Sequence, residues 1–473
     1  MPKKDIGIIG MAVMGRNLAL NIEDKGFSVA VYNRTKSKTE EFVREKASGK
    51  NITATYSLED FVNSLRRPRR ILLMVKAGAP VEGLLERIFP LLGKGDIIMD
   101  GGNSHFQDTE RRCQEAEKRG FLYLGVGISG GEYGALHGPC IMPGGSKEAY
   151  RQVEEIFIRI CAQTEDGACC TYLGPGSAGH YVKMVHNGIE YAIMQIIAEC
   201  YHIMREGLNM EIEKIKDVFE KWNLTELNSY LIQITAEILD KKDRFTEKAL
   251  IDVILDKAEQ KGTGRWAVQS ALDLGVPVPA IFAAVDARII SSFKSWRMLL
   301  AEKFKNERKE KITRDKESFL SRLREACYMG MLISYTQGMH LLRVASREYS
   351  YSLDLSEVAR IWKGGCIIRA RLLDLIKSIY QTHPDLPNLL LSEKLEEQFK
   401  RFIPSLREVI IEAKKRRIPL PVMESCLNYY ESFKTPYLPA NLIQAQRDFF
   451  GAHTYKRVDK EGDFHTVWQE EEV

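Results

Sequence analysis

The stretch that most restricts the fold of this chain is IGIIGMAVMG, Ile6 to Gly15. A short apolar run ends at Gly10, and Ala12 and Gly15 then lead into a helix-forming segment. Three small residues at that spacing permit a tight turn, a close approach of backbone to a bound group, and close packing of helix on strand. Strand, turn and helix in this order open a βαβ unit, and such a unit commits the chain to a parallel sheet. The helix after the turn presents unpaired N–H groups and a positive dipole end, which suit phosphates. Gly10, Met11, Ala12, Val13, Met14 and Gly15 are therefore a candidate dinucleotide site.

The first third continues the rhythm with FSVAVY, RRILLMVK, GDIIMDGG, FLYLGVGISGG and GPCIMPGG, strand-like runs separated by helix-length connections. The expected fold class is α/β here, a Rossmann-like, doubly wound parallel sheet. The second run ends in Asn33, Arg34 and Thr35. An NAD site would carry Asp or Glu at this place, whereas a guanidinium and a hydroxyl suit the 2′-phosphate of NADP. Val75, Lys76 and Ala77 follow the next run and Asn103 the one after it, at strand ends where ligands of doubly wound sheets gather. TYLGPGSAG, Thr171 to Gly179, breaks the pattern and marks the end of a first domain, residues 1–177.

From 178 to 435 the apolar period changes to about 3.6 residues, which predicts a large all-α domain. It holds an internal repeat, with HNGIEYAIMQIIAECYHIM aligned on YMGMLISYTQGMHLL so that Gly188 matches Gly330. Residues 436–473 form a short C-terminal tail with too little apolar mass for its own core. FKSWRMLLAEKFKNERKEKITRDKESF reads as a solvated connection, and it carries no assignment. The formal charge of +4 over 473 residues is spread among both signs, which argues against nucleic acid or an anionic membrane as partner. No run reaches the roughly 18 apolar residues of a membrane span, and no leader-like segment precedes the first strand, so a cytoplasmic protein with reduced thiols is expected.

The helical domain opens on KMVHNGIEY, Lys183 to Tyr191. At about 100° per residue, Lys183, His186, Asn187, Glu190 and Tyr191 collect within an arc of roughly 140°. The flanking Met, Ile and Ala are too apolar for a solvated helix, and the repeat partner lacks this polar set. A desolvated Lys can serve as a base near neutral pH, and a buried Glu can hold a proton and serve as an acid. No metal motif is present, so metal-independent catalysis is expected, with an ammonium polarising a ketone while a carboxylate leaves.

GMAVMG, YNRT, MDGGNS, GISGGEYGA, GPCIMPGG, KMVHNGIEY, KGTGRW and QAQRDFFGAH, in this order over nearly the whole chain, resemble the decarboxylating 6-phosphogluconate dehydrogenases. The resemblance implies NADP-linked oxidation of 6-phosphogluconate, loss of carbon dioxide and formation of ribulose 5-phosphate. It implies Lys183 as general base and Glu190 as proton donor. Asn103, Ser129, Gly130, Gly131, His186 and Asn187 would hold the substrate. Tyr191, Lys261, Arg288, Arg447 and His453 would hold its phosphate, the last two coming from the tail of a second subunit in a homodimer. KGTGRW carries Arg265 where the family often has Lys. A simpler 3-hydroxyacid dehydrogenase would share the Gly-rich turn, the S-G-G loop and the K-x-x-x-N helix, but would need neither Glu190 nor a phosphate-binding tail. A noncatalytic NADPH sensor would not need the Lys183/Glu190 pair.

Overall fold

Seven strands form one sheet in the order β3-β2-β1-β4-β5-β6-β7. They are β1 (Ile6–Ile9), β2 (Val29–Tyr32), β3 (Ile52–Thr55), β4 (Arg70–Leu73), β5 (Ile97–Asp100), β6 (Leu122–Ser129) and β7 (Cys140–Gly145). The computed structural model describes residues 2–305, 312 and 315–468. The chain divides into two compact units, Met1–Cys426 and Leu427–Val473.

Side chains alternate along each strand. Ile6, Ile8, Val29, Val31, Leu72, Ile97 and Met99 therefore enter one apolar layer, while Ile9, Ala30, Ile71, Leu73 and Ile98 enter the other. α1 (Val13–Asp24), α2 (Lys36–Lys46), α3 (Leu58–Ser64), α4 (Ala79–Ile88), α5 (Phe106–Lys118), α6 (Gly131–His137) and α7 (Lys147–Ile160) complete this part. Both faces of the sheet are covered, as a doubly wound fold requires.

Two features depart from the expected sheet. β7 runs antiparallel to β6, with Leu124 opposite Gly145 and Ser129 opposite Cys140. The link between them holds a helix of only seven residues, and a parallel crossover needs about a dozen or more. β3 was not expected at all. Its sequence ITAT is half-buried at the edge of the sheet, so it lacks the apolar run that marks a central strand.

From Ala178 onward the described elements are helical: α8 (Ala178–His202), α9 (Ile212–Trp222), α10 (Tyr230–Asp240), α11 (Thr263–Asp273), α12 (Pro279–Ser292), α13 (Lys294–Lys303), α14 (Lys316–Glu348), α15 (Leu355–Ile361), α16 (Leu372–Thr382), α17 (Glu393–Lys415) and α18 (Pro421–Lys434). Of the charge-rich connection, residues 306–311 and 313–314 lie outside the described residues. A long helix followed by two short ones occurs twice, as α8-α9-α10 and α14-α15-α16. α8 crosses α14 at the glycines of α14: a Cβ on Gly338 would meet Ile189 at 2.4 Å, and one on Gly330 would meet Ile196 at 3.0 Å. The pairing runs backward along α14 as α8 advances, so the two helices are antiparallel.

The N-terminal turn of α8 sits on bare backbone. A Cβ on Gly179 would lie 2.3 Å from the Gly125 carbonyl oxygen and 2.4 Å from that of Met142. Backbone cannot move aside as a flexible side chain can, so overpacking here displaces the helix or the strands. Gly179→Ala is expected to lower stability by about 1–3 kcal/mol, read as a fall in the urea midpoint at unchanged m-value.

The C-terminal unit contains α19 (Ala440–Gly451) and an isolated bridge between Tyr455 and Phe464.

Candidate active site

The Gly-rich turn meets the steric demands read from its sequence. Gly10 has φ +109°, and a Cβ there would lie 2.3 Å from the Met74 carbonyl oxygen. A Cβ on Gly15 would lie 1.9 Å from the Gly10 carbonyl oxygen, so α1 can pack on β1 only without it. Ala12 is the extended N-cap of α1, and no side chain caps that end. Its first N–H groups are left for an anion. Met11 is buried, Met14 half-buried and Val13 exposed.

Asn33 uses its amide within the protein: it accepts from Met11 N at 3.0 Å and donates to the Thr35 carbonyl at 3.0 Å. It thereby ties the turn to the end of β2, while Arg34 and Thr35 stand exposed beside it. Arg16, absent from the sequence reading, braces the same turn by donating to the Met11 carbonyl at 2.9 Å and pairing with Glu41 on α2 at 2.9 Å. Val75, Lys76 and Ala77 follow β4 and turn into α4 at Gly78, φ +85°. A small-residue turn, an uncapped helix end and an exposed guanidinium at the next strand fit a dinucleotide with a 2′-phosphate.

Asn103 is exposed at the C-terminal end of β5. The turn that presents it is shaped by Asp100, whose buried carboxylate accepts from Gly102 N at 3.1 Å, Ser104 Oγ at 2.6 Å and Arg112 at 3.1 Å. Arg112 is itself buried and also binds Glu82 of α4 at 2.8 Å. One guanidinium thus braces the Asn103 turn and the helix after the Val75–Ala77 loop.

The catalytic candidates gather where α8 crosses β6. On one face of β6 the alternate residues are Gly125, Gly127 and Ser129, and on α8 the facing residues are His180, Lys183 and His186. A Cβ on Gly125 would lie 2.9 Å from His180 Nδ1, and one on Gly127 would lie 2.5 Å from the Lys183 Cβ. Ser129 Oγ lies 3.3 Å from His186 Nε2. The two glycines make room for the helix and its Lys stem. Alternation along LGVGIS places Gly125, Gly127 and Ser129 on one face of β6, and only the tertiary fold decides that α8 meets that face.

Lys183, His186, Asn187 and Tyr191 are buried, and the Glu190 side chain is 20% exposed. Lys183 Nζ donates to Asn187 Oδ1 at 2.8 Å and lies 3.5 Å from His186 Nδ1. His186 Nδ1 is 3.1 Å from the same Asn187 oxygen and 3.7 Å from Glu190 Oε2. A proton on Nδ1 and an acceptor at Nε2 would satisfy Asn187 and the Ser129 hydroxyl together. The ring meets Trp362 edge-on, centroids 5.7 Å apart. Burial lowers the proton affinity of Lys183, against the pull of the Glu190 charge. Burial, with the nearby Lys183 charge, holds His186 well below its ordinary range. Burial raises Glu190, although Lys183 and Arg288 oppose it.

A cationic corner adjoins this set. The Arg288 guanidinium lies over the Tyr191 ring at 3.5 Å and donates to the Glu259 carbonyl at 3.2 Å. A Cβ on Gly264 would meet the Tyr191 ring at 2.7 Å, so α11 can approach closely. Lys261 is exposed just before Gly262, the left-handed N-cap of that helix. Gly188 faces Ile281 of α12 and Ala267 of α11. Its missing side chain serves helix packing.

Sequence patterns fall silent about Ile367, whose backbone N–H lies 3.5 Å from Ser129 Oγ and brings the loop after α15 to the Ser129–Gly131 turn. Gly130 and Gly131 have positive φ, +117° and +62°. Arg447 and His453 belong to the C-terminal unit, where Arg447 Nη1 donates to Gln444 Oε1 at 3.2 Å. All nine cysteines are free thiols, and burial raises the proton affinities of Cys169 and Cys170. Among the described residues, Glu165, Asp166 and Asp374 form one carboxylate cluster, and Lys363 and Lys377 are paired with it. No helix of the described residues is long and apolar enough to cross a membrane.

Two family models match the chain, the NAD binding domain of 6-phosphogluconate dehydrogenase over residues 5–174 and the 6-phosphogluconate dehydrogenase C-terminal domain over residues 179–468. The chain is 52% identical over 468 residues to the NADP(+)-dependent, decarboxylating 6-phosphogluconate dehydrogenase of Bacillus subtilis, covering 99% of this chain and 100% of that one. It is 51% identical over 469 residues to the decarboxylating enzyme of Escherichia coli, with the same coverage. The structure is similar to 6-phosphogluconate dehydrogenase of Plasmodium falciparum, with TM-score 0.95 and 46% identity over 98% of this chain and 100% of that one. The chain belongs to the 6-phosphogluconate dehydrogenase family.

Proposed function

We infer that this chain catalyses the NADP-dependent oxidative decarboxylation of 6-phospho-D-gluconate to D-ribulose 5-phosphate, carbon dioxide and NADPH. The observation that carries the reading is the Lys183–Asn187–His186–Glu190 set on α8, buried but for part of Glu190 and seated against Ser129 of β6. Gly10 to Gly15, Asn33 to Thr35, Val75 to Ala77 and Asn103 would hold NADP, which when bound supplies the acceptor for the electron pair leaving C3. Lys183, its proton affinity lowered by burial, takes the proton from the C3 hydroxyl. The ammonium so formed holds the ketone oxygen and draws electron density toward it as the carboxylate leaves as carbon dioxide. Glu190, its proton affinity raised by burial, gives its proton to the enediol. Ser129, Gly130, Gly131, His186 and Asn187 would orient the carboxylate and hydroxyls, and Tyr191, Lys261, Arg288, Arg447 and His453 the phosphate.

The functional unit in this reading is a cytoplasmic homodimer, built from segments 1–177, 178–435 and 436–473, in which the tail completes the neighbouring site. Exposed apolar side chains support it: Trp296 and Leu299 on α13 are 64% and 70% exposed, and Phe450 on α19 is 73% exposed. Apolar patches of this kind mark association surfaces.

The deciding experiment follows NADPH absorbance with 6-phosphogluconate while trapping released carbon dioxide. Stoichiometric NADPH and carbon dioxide are expected. Reduction without carbon dioxide would point to a simpler 3-hydroxyacid dehydrogenase, and no turnover to a binding protein.

The opposed shifts predict a bell-shaped pH profile. Lys183, lowered from 10.5, must be deprotonated, so the rate rises with pH through its pKa. Glu190, raised from 4.5, must be protonated, so the rate falls with pH through its own. Glu190→Gln is expected to reduce kcat by roughly 10²–10⁴-fold and to remove the falling limb. A variant with wild-type rate and profile would take Glu190 out of the mechanism.

A further inference from the structure

The C-terminal unit has a carboxylate at its centre. Asp448, in the last turn of α19, is 0% exposed. Its Oδ1 accepts from Thr454 N at 3.0 Å and His465 Nδ1 at 2.9 Å. Its Oδ2 accepts from Thr466 N at 3.1 Å and Trp468 Nε1 at 2.9 Å. An ionised carboxylate has about four lone-pair sites, and all are used. Burial draws this carboxyl upward, but the hydrogen bonds from His465, Thr466 and Trp468 and the charge of His465 outweigh it and hold it at about 2.

Those donors shape the turn that carries His453. Ala452 and Thr454, on either side of it, have φ +48° and +60°, a left-handed conformation that non-Gly residues adopt at a cost. The Thr454 N–H to Asp448, and Gln444 Nε2 donating to the Thr454 carbonyl at 2.6 Å, hold the turn in place. The Tyr455–Phe464 bridge, with Tyr455 Oη 2.6 Å from Thr466 Oγ1, closes the loop. His453 folds back over Gly451, where a Cβ would lie 2.7 Å from its Nε2. Arg447 immediately precedes Asp448 and is steadied by Gln444.

We propose that Asp448 is a positioning residue, whose inward carboxylate fixes the separation of Arg447 and His453 so that both meet the phosphate monoester bound by the neighbouring subunit. The inference rests on the tail-sharing reading above. Two donors on a short tail bind a phosphate well only if their spacing is set beforehand, since ordering them on binding would consume affinity. An acidic residue beside two phosphate ligands would ordinarily repel the ligand. Here its charge is directed inward and spent on four donors, and the phosphate meets only the cationic and imidazole side chains.

Asp448→Asn keeps the shape but turns an amide toward two of the donors. In the full-length enzyme it is expected to raise KM for 6-phosphogluconate roughly tenfold or more, with kcat and KM for NADP little changed. Combined with His453→Ala, it should cost much less than the sum of the two changes, because both act on one contact. Unchanged KM, equal losses in kcat and NADP affinity, or full additivity would overturn the proposal. If Asp448→Asn does not fold, Trp468→Phe removes one donor and leaves the carboxylate. It should raise KM for 6-phosphogluconate alone, and no change would count against the proposal. Arg447→Ala and His453→Ala without effect on KM would instead remove the tail from the site, and this inference with it.

Discussion

Lys183→Ala is expected to lower kcat by 10³-fold or more, on the order of the loss of a general base together with a charge that stabilises the transition state. No neighbour can replace the amine. Burial lowers the proton affinity of His186 and makes it a weak base, the Asn187 carboxamide is not basic, and Glu190 is expected to act as the acid. NADP affinity should stay within about threefold of wild type, since the Gly-rich turn and Arg34 stand on other elements. Folding should not suffer either. An amine whose proton affinity is lowered by burial costs stability at neutral pH, because the unfolded chain keeps its charge in water. Lys183→Met, which retains the volume of the stem, should melt no lower than wild type. Turnover by NADPH absorbance, cofactor binding by titration calorimetry and melting by calorimetry separate these effects. Turnover above a hundredth of wild type would remove Lys183 as base.

Truncation after Leu438 is the other change with a large expected effect. It removes Arg447, Asp448 and His453 together, and kcat/KM for 6-phosphogluconate should fall by roughly 10³-fold or more, as expected when two charge-assisted contacts to a phosphate are lost. Mixing makes the shared site testable. A truncated subunit keeps Lys183 and lacks the tail, and a full-length Lys183→Ala subunit has the reverse defect. Refolded together, they should recover activity that neither shows alone, because one hybrid site in each heterodimer has both parts. A truncated enzyme that is fully active by itself, or a mixture that stays inactive, would refute tail sharing.

Much of this was legible in the residues. Gly10, Ala12 and Gly15 carry a steric requirement that their neighbours in sequence state, and the structure meets it with the Met74 and Gly10 carbonyls at contact distance. The polar arc of KMVHNGIEY depends only on helical period, and Lys183, His186 and Asn187 lie within hydrogen-bonding reach of one another. Other features depend on partners far along the chain. Arg112 carries no sequence signal, and it is buried between Asp100 and Glu82. Asp448 stood unremarked between two residues named for phosphate binding, and its four donors come from positions 454 to 468.

The sequence by itself determined the periods, the Gly turn and the order of the motifs, because each is set by contacts within one strand or one helical turn. The tertiary structure alone decided that β7 reverses direction, that Gly125 and Gly127 face α8, and that a buried carboxylate organises the tail. Such choices rest on which distant surfaces meet and in what register, and no local period carries that information.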